Sequence, residues 1–161
     1  RADWNSGACK RAKVANYVVQ SCYNLDTRDY EDHTFNGIMF DLKCKADLPL
    51  EFIEIQQFWV RGELGPMSVW ITEGSHVEKY GRRSEWKLVH KKTHKESHQV
   101  LAPLDIKPAL RLKPGQSYGV YVHSATPDDM GLVYNNRRSR ITHEDPHICI
   151  MPGMAHISRV P

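Results

Sequence analysis

The sequence predicts an all-β protein, an antiparallel two-sheet β-sandwich of the jelly-roll kind that follows an N-terminal extension. The first observation is the stretch GIMFDLKCKA at residues 37–46, in which inward apolar positions alternate with outward ones. A period of two residues is typical of a strand with one face on a core and one in water. The same period recurs at residues 66–73, 109–113 and 117–123. Turns rich in glycine, proline and aspartate separate these stretches, which favours antiparallel sheets.

Turns and polar stretches set the order of the remaining elements. Pro49 and the RGELGP segment at residues 61–66 break the chain, as proline and glycine typically do. The polar, histidine-rich stretch at residues 90–98 is predicted to be a solvated loop. With about nine or ten strands, residues 35–161 match a two-sheet jelly roll. Further strands are expected at residues 51–60, 86–89, 99–104, 131–135, 147–151 and 155–159.

The alternating stretches also predict which side chains form the core. In each stretch, every second residue is apolar and shares one face of its strand. We expect these faces to meet in one core made by Ile38, Phe40, Leu42, Val69, Ile71, Leu110, Leu112, Val120 and Val122.

Residues 1–34 form the N-terminal extension and fall outside the alternating pattern. Apolar positions between residues 8 and 22 approach a helical stripe, whereas the run YVV at residues 17–19 favours a strand instead. We adopt the short helix and keep the strand as the alternative. Large side chains such as Trp4 and Tyr17 predict that the segment packs on a neighbouring chain or along a sheet edge. A frayed terminus is the other possibility.

Composition and charge fit one folded domain. The chain has 161 residues, 40% of them hydrophobic and 25% charged, which is enough to bury a core. Its net charge of +3 is too small to predict a polyanionic partner, and short basic runs such as residues 82–83 and 91–92 are expected to be solvated. No apolar run approaches the roughly 20 residues that span a bilayer, and no signal-like segment is visible, so membrane insertion is not expected. Because the chain begins at Arg1 rather than Met, we expect a fragment or a processed product.

The four cysteines are widely scattered, at Cys9, Cys22, Cys44 and Cys149. Their even number permits two disulfides, but their spacing does not require any. Cys44 shares the inward face of its strand and is expected to act as a small buried hydrophobe. The chain has no Asn-X-Ser/Thr acceptor for glycosylation. We therefore expect an intracellular, cytoplasmic protein with reduced thiols.

Two groups of histidines have spacings that could bind a metal ion. His90, His94 and His98 are four residues apart, so that a helix or a strand would place them on one face. The lysine and glutamate residues between them provide no apolar face to hold the rings, which favours a solvated loop.

The second group, His143, His147 and Cys149, is a candidate zinc site. His143 and His147 have a zinc-like separation and Cys149 follows, but no cysteine pair lies upstream. Pro146 also excludes a regular helix through the two histidines. A turn that leads into the strand at residues 147–151 is the simpler interpretation. The sequence therefore predicts neither a metal nor any other cofactor.

The sequence contains no recognisable catalytic motif. No serine or cysteine sits in a nucleophile elbow, and the glycines at residues 62–65 lack the spacing and the lysine of a phosphate-binding loop. Trp70 stands between Val69 and Ile71, so its ring either faces outward or fills a second layer. An outward aromatic ring on a sandwich can stack on a sugar or anchor a protein partner.

The order of several motifs resembles a known family of modules. FNGIMFDL at residues 35–42, VWITEGS at 69–75, WKLV at 86–89 and LRLKPGQSYGVYV at 110–122 are similar, in order, to the strands and turns of GNMFD-type repeats. These are eukaryotic β-sandwich modules related in pattern to the PHR domain of ubiquitin ligases and BTB adaptor proteins. The resemblance implies a jelly-roll-like sandwich that has no shared catalytic residues and binds partners through loops at one end.

We therefore expect a non-catalytic interaction or structural module within a larger protein or complex, and not an enzyme. Its partners would be other protein chains of an assembly; nucleic acid is not expected. A carbohydrate-binding module is the first alternative, and a metal-dependent enzyme that uses the histidine groups is the second. The residues expected to bind a partner are Trp4, Tyr17, Trp70, Arg137, Arg138 and Arg140.

Overall fold

The computed structural model describes residues 21–28, 33–134, 141–158 and 160–161. Within these ranges the protein is all-β, and every strand pair is antiparallel, as the sequence predicts. The described residues also include a 3₁₀ turn at Arg83–Glu85. The strands are β1 (His33–Phe35), β2 (Gly37–Cys44), β3 (Ile53–Gly62), β4 (Gly65–Glu73), β5 (Lys87–His94), β6 (Ser97–Leu112), β7 (Ser117–Ser124), β8 (Leu132–Tyr134), β9 (His143–Glu144), β10 (Ile148–Ile150) and β11 (Met154–His156).

The largest sheet has seven strands in the order β5-β4-β7-β2-β10-β9, and β11 pairs with β2 beside β10. β7 lies in its interior, where β2 and β4 bind its two edges. Six of the eight residues of β7 are buried, which includes residues on both of its faces. This sheet must therefore be covered on two sides.

The core lies between this sheet and the β3–β6 pair. Aliphatic side chains from β2, β4 and β7 form one cluster with those of β6, and half-buried residues of β3 pack against it. A second small pair, β1–β8, contributes Leu132 to the same cluster. The arrangement is sandwich-like, with unequal sheets of seven and two strands. The connectivity of a jelly roll remains a prediction.

The predicted core is confirmed. The seven fully buried members of the predicted set occupy the cluster, and Ile38 and Phe40 are half-buried and pack against it. The Phe40 ring also contacts the Phe58 ring edge-on, with centroids 6.2 Å apart. The two-residue alternation of apolar positions therefore predicted correctly which face of each strand is buried.

The prediction of a loop at residues 90–98 is wrong. β5 continues to His94 and β6 begins at Ser97, so that most of this stretch belongs to a hairpin whose strands pair with β4 and β3. The strands predicted at residues 99–104 and 109–113 are one strand, β6. Ile55 of β3 pairs with Leu110 of β6, but Gln57, two residues further on, pairs with Asp105, which is five residues from Leu110. This bulge interrupts the alternating pattern within β6, so the sequence predicted two strands where there is one.

The N-terminal helix and most of the extension lie outside the described residues. Residues 21–28 are described and have no regular secondary structure. The predicted boundary between residues 34 and 35 falls inside β1, which pairs with β8. The first described strand therefore begins two residues before the domain that the sequence predicted.

Leu112→Ala should lower the free energy of unfolding by about 2–5 kcal/mol, because Leu112 is completely buried and the cavity would be lined by neighbouring aliphatic groups. Urea unfolding measures this loss. Leu88→Ala is the control: Leu88 is 38% exposed, so a loss below about 1 kcal/mol is expected. Equal losses in the two variants would contradict the proposed core.

Candidate functional site

The outer face of the seven-stranded sheet, opposite the core, carries the most unusual set of side chains. Strand register places Tyr121 of β7 between Trp70 of β4 and Met39 of β2, and Met154 of β11 follows Met39. One step along, His123 of β7 is opposite Gly37 of β2. Aromatic and thioether groups thus cross several strands in one band.

Residues 74–86, here called the strap, fold over one part of this face. The Asp41 carboxylate holds the strap: it accepts hydrogen bonds from the Ser75 hydroxyl at 2.5 Å, the His76 backbone N–H at 2.8 Å and the His76 ring Nδ1 at 2.7 Å. Burial raises the pKa of Asp41, but these hydrogen bonds outweigh that effect and lower it below its usual value. The negative charge of Asp41 is therefore matched by donors from the strap.

A serine, a histidine and an aspartate meet here, but not in the order that a hydrolase uses. In a catalytic triad the serine hydroxyl donates to the histidine, which then removes its proton. The Ser75 hydroxyl donates to Asp41 instead. This geometry does not pair the serine with the histidine, and the three groups act as a tie between strap and sheet.

Further contacts fix the rest of the strap. The Lys79 ammonium donates to the Thr72 hydroxyl at 3.0 Å, and the Trp86 indole N–H donates to the Lys79 carbonyl at 3.1 Å. Gly119 of β7 permits this close approach, because a Cβ there would lie 2.7 Å from the His76 backbone nitrogen. The strap is thus tied to the sheet at several points.

Tyr121 and His123 form the centre of the buried outer layer. The Tyr121 ring contacts the rings of Trp86, His123 and His156 at centroid distances of 6.0, 5.6 and 5.6 Å. Its hydroxyl is buried and has no hydrogen-bond partner among the described residues. Burial, with a smaller effect of Tyr80, raises the pKa of this group.

His123 ties the C-terminal segment to the same layer. Its Nε2–H donates to the Ser158 carbonyl at 2.8 Å. Burial lowers the pKa of His123; the hydrogen bond to Ser158 opposes this effect and the neighbouring His156 adds to it. Burial thus favours the neutral form of this ring.

A cleft of about 210 Å³ opens between the strap and β11. The Tyr80 ring on one side contacts the His156 ring on the other, with centroids 5.4 Å apart. Several groups at the cleft are exposed to solvent: Tyr80 by 57%, Met154 by 48% and Ile157 by 71%. Its lining consists of Met39, Tyr80, Met154, Ala155, His156 and Ile157.

Trp70 is the only predicted partner-binding residue within the described ranges. It lies on the outer face, half-buried, with its indole N–H donating to the Ser68 hydroxyl at 3.1 Å. The Arg83 guanidinium lies over its ring, 5.2 Å from the centroid. Trp70 therefore faces outward, which is one of the two orientations that the sequence predicted. The other predicted residues, Trp4, Tyr17, Arg137, Arg138 and Arg140, lie outside the described residues.

The group at residues 143–149 is a β-hairpin. The Asp145 carboxylate accepts from the backbone N–H groups of His147 and Ile148, both at 2.7 Å, and so makes the turn between β9 and β10. The His147 ring packs on Tyr23, while the Cys149 thiol faces Glu144. The predicted turn at this place is therefore present.

In the group of His90, His94 and His98, the first two residues are in contact and the third lies apart. His90 and His94 of β5 meet, with their Nε2 atoms 2.9 Å apart, and His90 Nδ1–H donates to the Asp105 carbonyl at 2.7 Å. His98 is the second residue of β6 and lies beside Glu96. Nowhere in the described ranges do three or more histidine, cysteine, aspartate or glutamate residues come close enough to bind a metal ion.

The cysteines differ in whether they form a disulfide bond. Cys22 is disulfide-bonded, whereas Cys44 and Cys149 are free and buried. Burial raises the pKa of the Cys44 thiol, a smaller effect of the Gly115 backbone opposing it. Cys44 is thus a small core residue, as expected. Fully reduced thiols, by contrast, were the wrong expectation for Cys22.

Comparisons with protein families, curated proteins and solved structures find no match to this chain. In the part of the chain that the structure describes, no helix has the length and apolar character needed to cross a membrane.

Asp41→Asn should lower the free energy of unfolding by about 1–3 kcal/mol at neutral pH, because the strap donors would face an amide instead of a carboxylate. Since the folded pKa of Asp41 is below its usual value of 3.8, this stabilisation is present above that value and is lost as the pH falls through the folded pKa. Urea unfolding at pH 7 and near pH 3 measures both effects. Ser75→Ala removes a single hydrogen bond and should cost less; a wild-type stability in Asp41→Asn would exclude the tie.

Acidification should also destabilise the hairpin of β5 and β6, because it protonates His94. Burial is the main reason that the pKa of His94 is lowered, with His90 and Lys92 adding to the effect and Asp105 opposing it. The stabilisation is therefore present above the usual value of about 6.5 and is lost as the pH falls through the lower folded pKa. We expect His94→Gln to reduce the fall in melting temperature between pH 7.5 and 5. The exposed His98→Gln should not, and identical pH profiles in all three proteins would refute this role.

Proposed function

We propose that this chain is a non-catalytic β-sandwich module that binds another protein chain of a larger assembly, with the cleft between strap and β11 as the contact surface. The observation that carries the proposal is the concentration of exposed apolar groups at a formed cleft: Tyr80, Met154 and Ile157 are all about half or more exposed. Exposed apolar groups that cluster mark interaction sites more often than groups scattered singly do.

The anatomy of the cleft supports a protein partner. The aromatic, methionine and isoleucine side chains that line it are the types that anchor interface centres. Its floor is rigid, because Asp41 and His123 tie the strap and the C-terminal segment to the sheet. A rigid surface loses little conformational entropy when a partner binds.

The proposal differs from the sequence-based one in where the partner binds. The sequence pointed to Trp70, but Arg83 covers the ring of Trp70. The resemblance of the strand motifs to PHR-like modules supports the same class of function. An intracellular location stays a prediction, against which the disulfide of Cys22 weighs.

Ile157→Asp should abolish capture of a specific partner without altering the fold, because Ile157 is 71% exposed and a carboxylate would be desolvated at an apolar contact. The purified protein, immobilised, would be incubated with an extract of its source organism and the bound proteins quantified by mass spectrometry. The affinity of the purified partner should fall at least about tenfold in the variant.

Val100→Asp is the matched control, since Val100 is 63% exposed but lies on β6, outside the cleft. Its binding and that of the wild type should agree. A partner that both variants retain equally would place the contact elsewhere. Thermal melting of all three proteins checks that the fold is intact.

A further inference from the structure

The positive charge of the chain is concentrated in one segment. Residues 79–95 contain seven lysine and arginine residues and one acidic residue, whereas the whole chain has 22 and 19. The rest of the chain is therefore net acidic, although the total is close to neutral. A modest net charge of +3 conceals this asymmetry.

The fold places these charges on one edge. β5 is the last strand of the seven-stranded sheet, and the strap leads directly into it. Its eight residues span about 26 Å at roughly 3.3 Å per residue. Six of the cations are exposed, and one of them, Arg82, is paired with Glu85. We call the other five the basic strip: Arg83, Lys87, Lys91, Lys92 and Lys95.

The lysines of the basic strip are not neutralised locally. None of the four forms an ion pair with a carboxylate of the described residues, and the nearby Glu85 is engaged by Arg82 and Lys79. Like charges along one strand repel each other, so an arrangement of this kind is stabilised by an extended anion.

We propose that the basic strip binds a sulfated polysaccharide, with the lysine ammonium groups paired to successive sulfate groups. This site lies on a different edge from the cleft, and the proposal does not depend on the proposed function. Lys91 and Lys92 project from opposite faces of β5, as adjacent residues of a strand do, so the cations flank the outer edge of the sheet in two rows. An extended anionic chain that runs along this edge can contact both rows.

Three observations favour a sulfated sugar over a nucleic acid. Four of the five cations are lysines, whereas bidentate recognition of phosphate and bases favours arginine. The Trp70 ring beside the strip is covered by Arg83, so it offers no platform on which a base could stack. The disulfide of Cys22 favours an oxidising compartment.

Heparin is the probe for the test, immobilised on a sensor surface, with binding measured over a series of salt concentrations. We expect the triple variant Lys87→Ala, Lys91→Ala, Lys92→Ala to bind at least about tenfold more weakly at physiological salt. The slope of log affinity against log salt should fall by about two to three, because fewer counterions are released. Thermal melting confirms that the variant is folded.

The control variant is Lys43→Ala, Lys107→Ala, Lys113→Ala, which removes the same charge from exposed positions elsewhere. It should bind heparin nearly as the wild type does; an equal loss in both variants would show a non-specific effect of net charge and overturn the proposal. So would undiminished binding to desulfated heparin. Tighter binding to a DNA or RNA oligonucleotide of matched charge would assign the strip to nucleic acid instead.

Discussion

The interior position of β7 in the seven-stranded sheet is the constraint on which the rest of the structure depends. β2 and β4 satisfy its backbone groups along both edges, and side chains on both of its faces are buried. Val120 and Val122 meet the β3–β6 pair on one side. Tyr121 and His123 lie on the other side, where no further sheet of the described residues covers them. The strap and the C-terminal segment therefore form a third layer from irregular chain.

The parts of the fold that were predictable are those in which the information is local. In β2, β4 and β7, inward and outward residues alternate within a few positions, so the strand and its buried face follow from neighbouring residues alone. β5 and the start of β6 lack that pattern because lysines and histidines occupy exposed positions. Backbone pairing with β4 and β3 holds them extended, and such pairing is not visible from propensity.

The candidate site was not predictable for a related reason. Tyr80, Tyr121 and His156 lie far apart in sequence and meet only because β11 pairs with β2 beside β7. A usable signal was nevertheless present: Tyr121 and His123 are large residues at the outward positions of a strand whose inward positions are also apolar. Such a strand has two faces to bury, which indicates a covering segment.

The strap links the two surfaces that the molecule offers. Tyr80 of the strap lines the cleft, and Arg83, three residues on, begins the basic strip and covers Trp70. In sheet order, β5 and β11 are separated by four strand steps, or about 19 Å at roughly 4.8 Å per strand. This separation leaves room for two ligands at once. A ligand on the basic strip that engaged Arg83 would nevertheless act on the same short segment that positions Tyr80, and the Asp41 tie resists such a movement because it anchors the strap to β2.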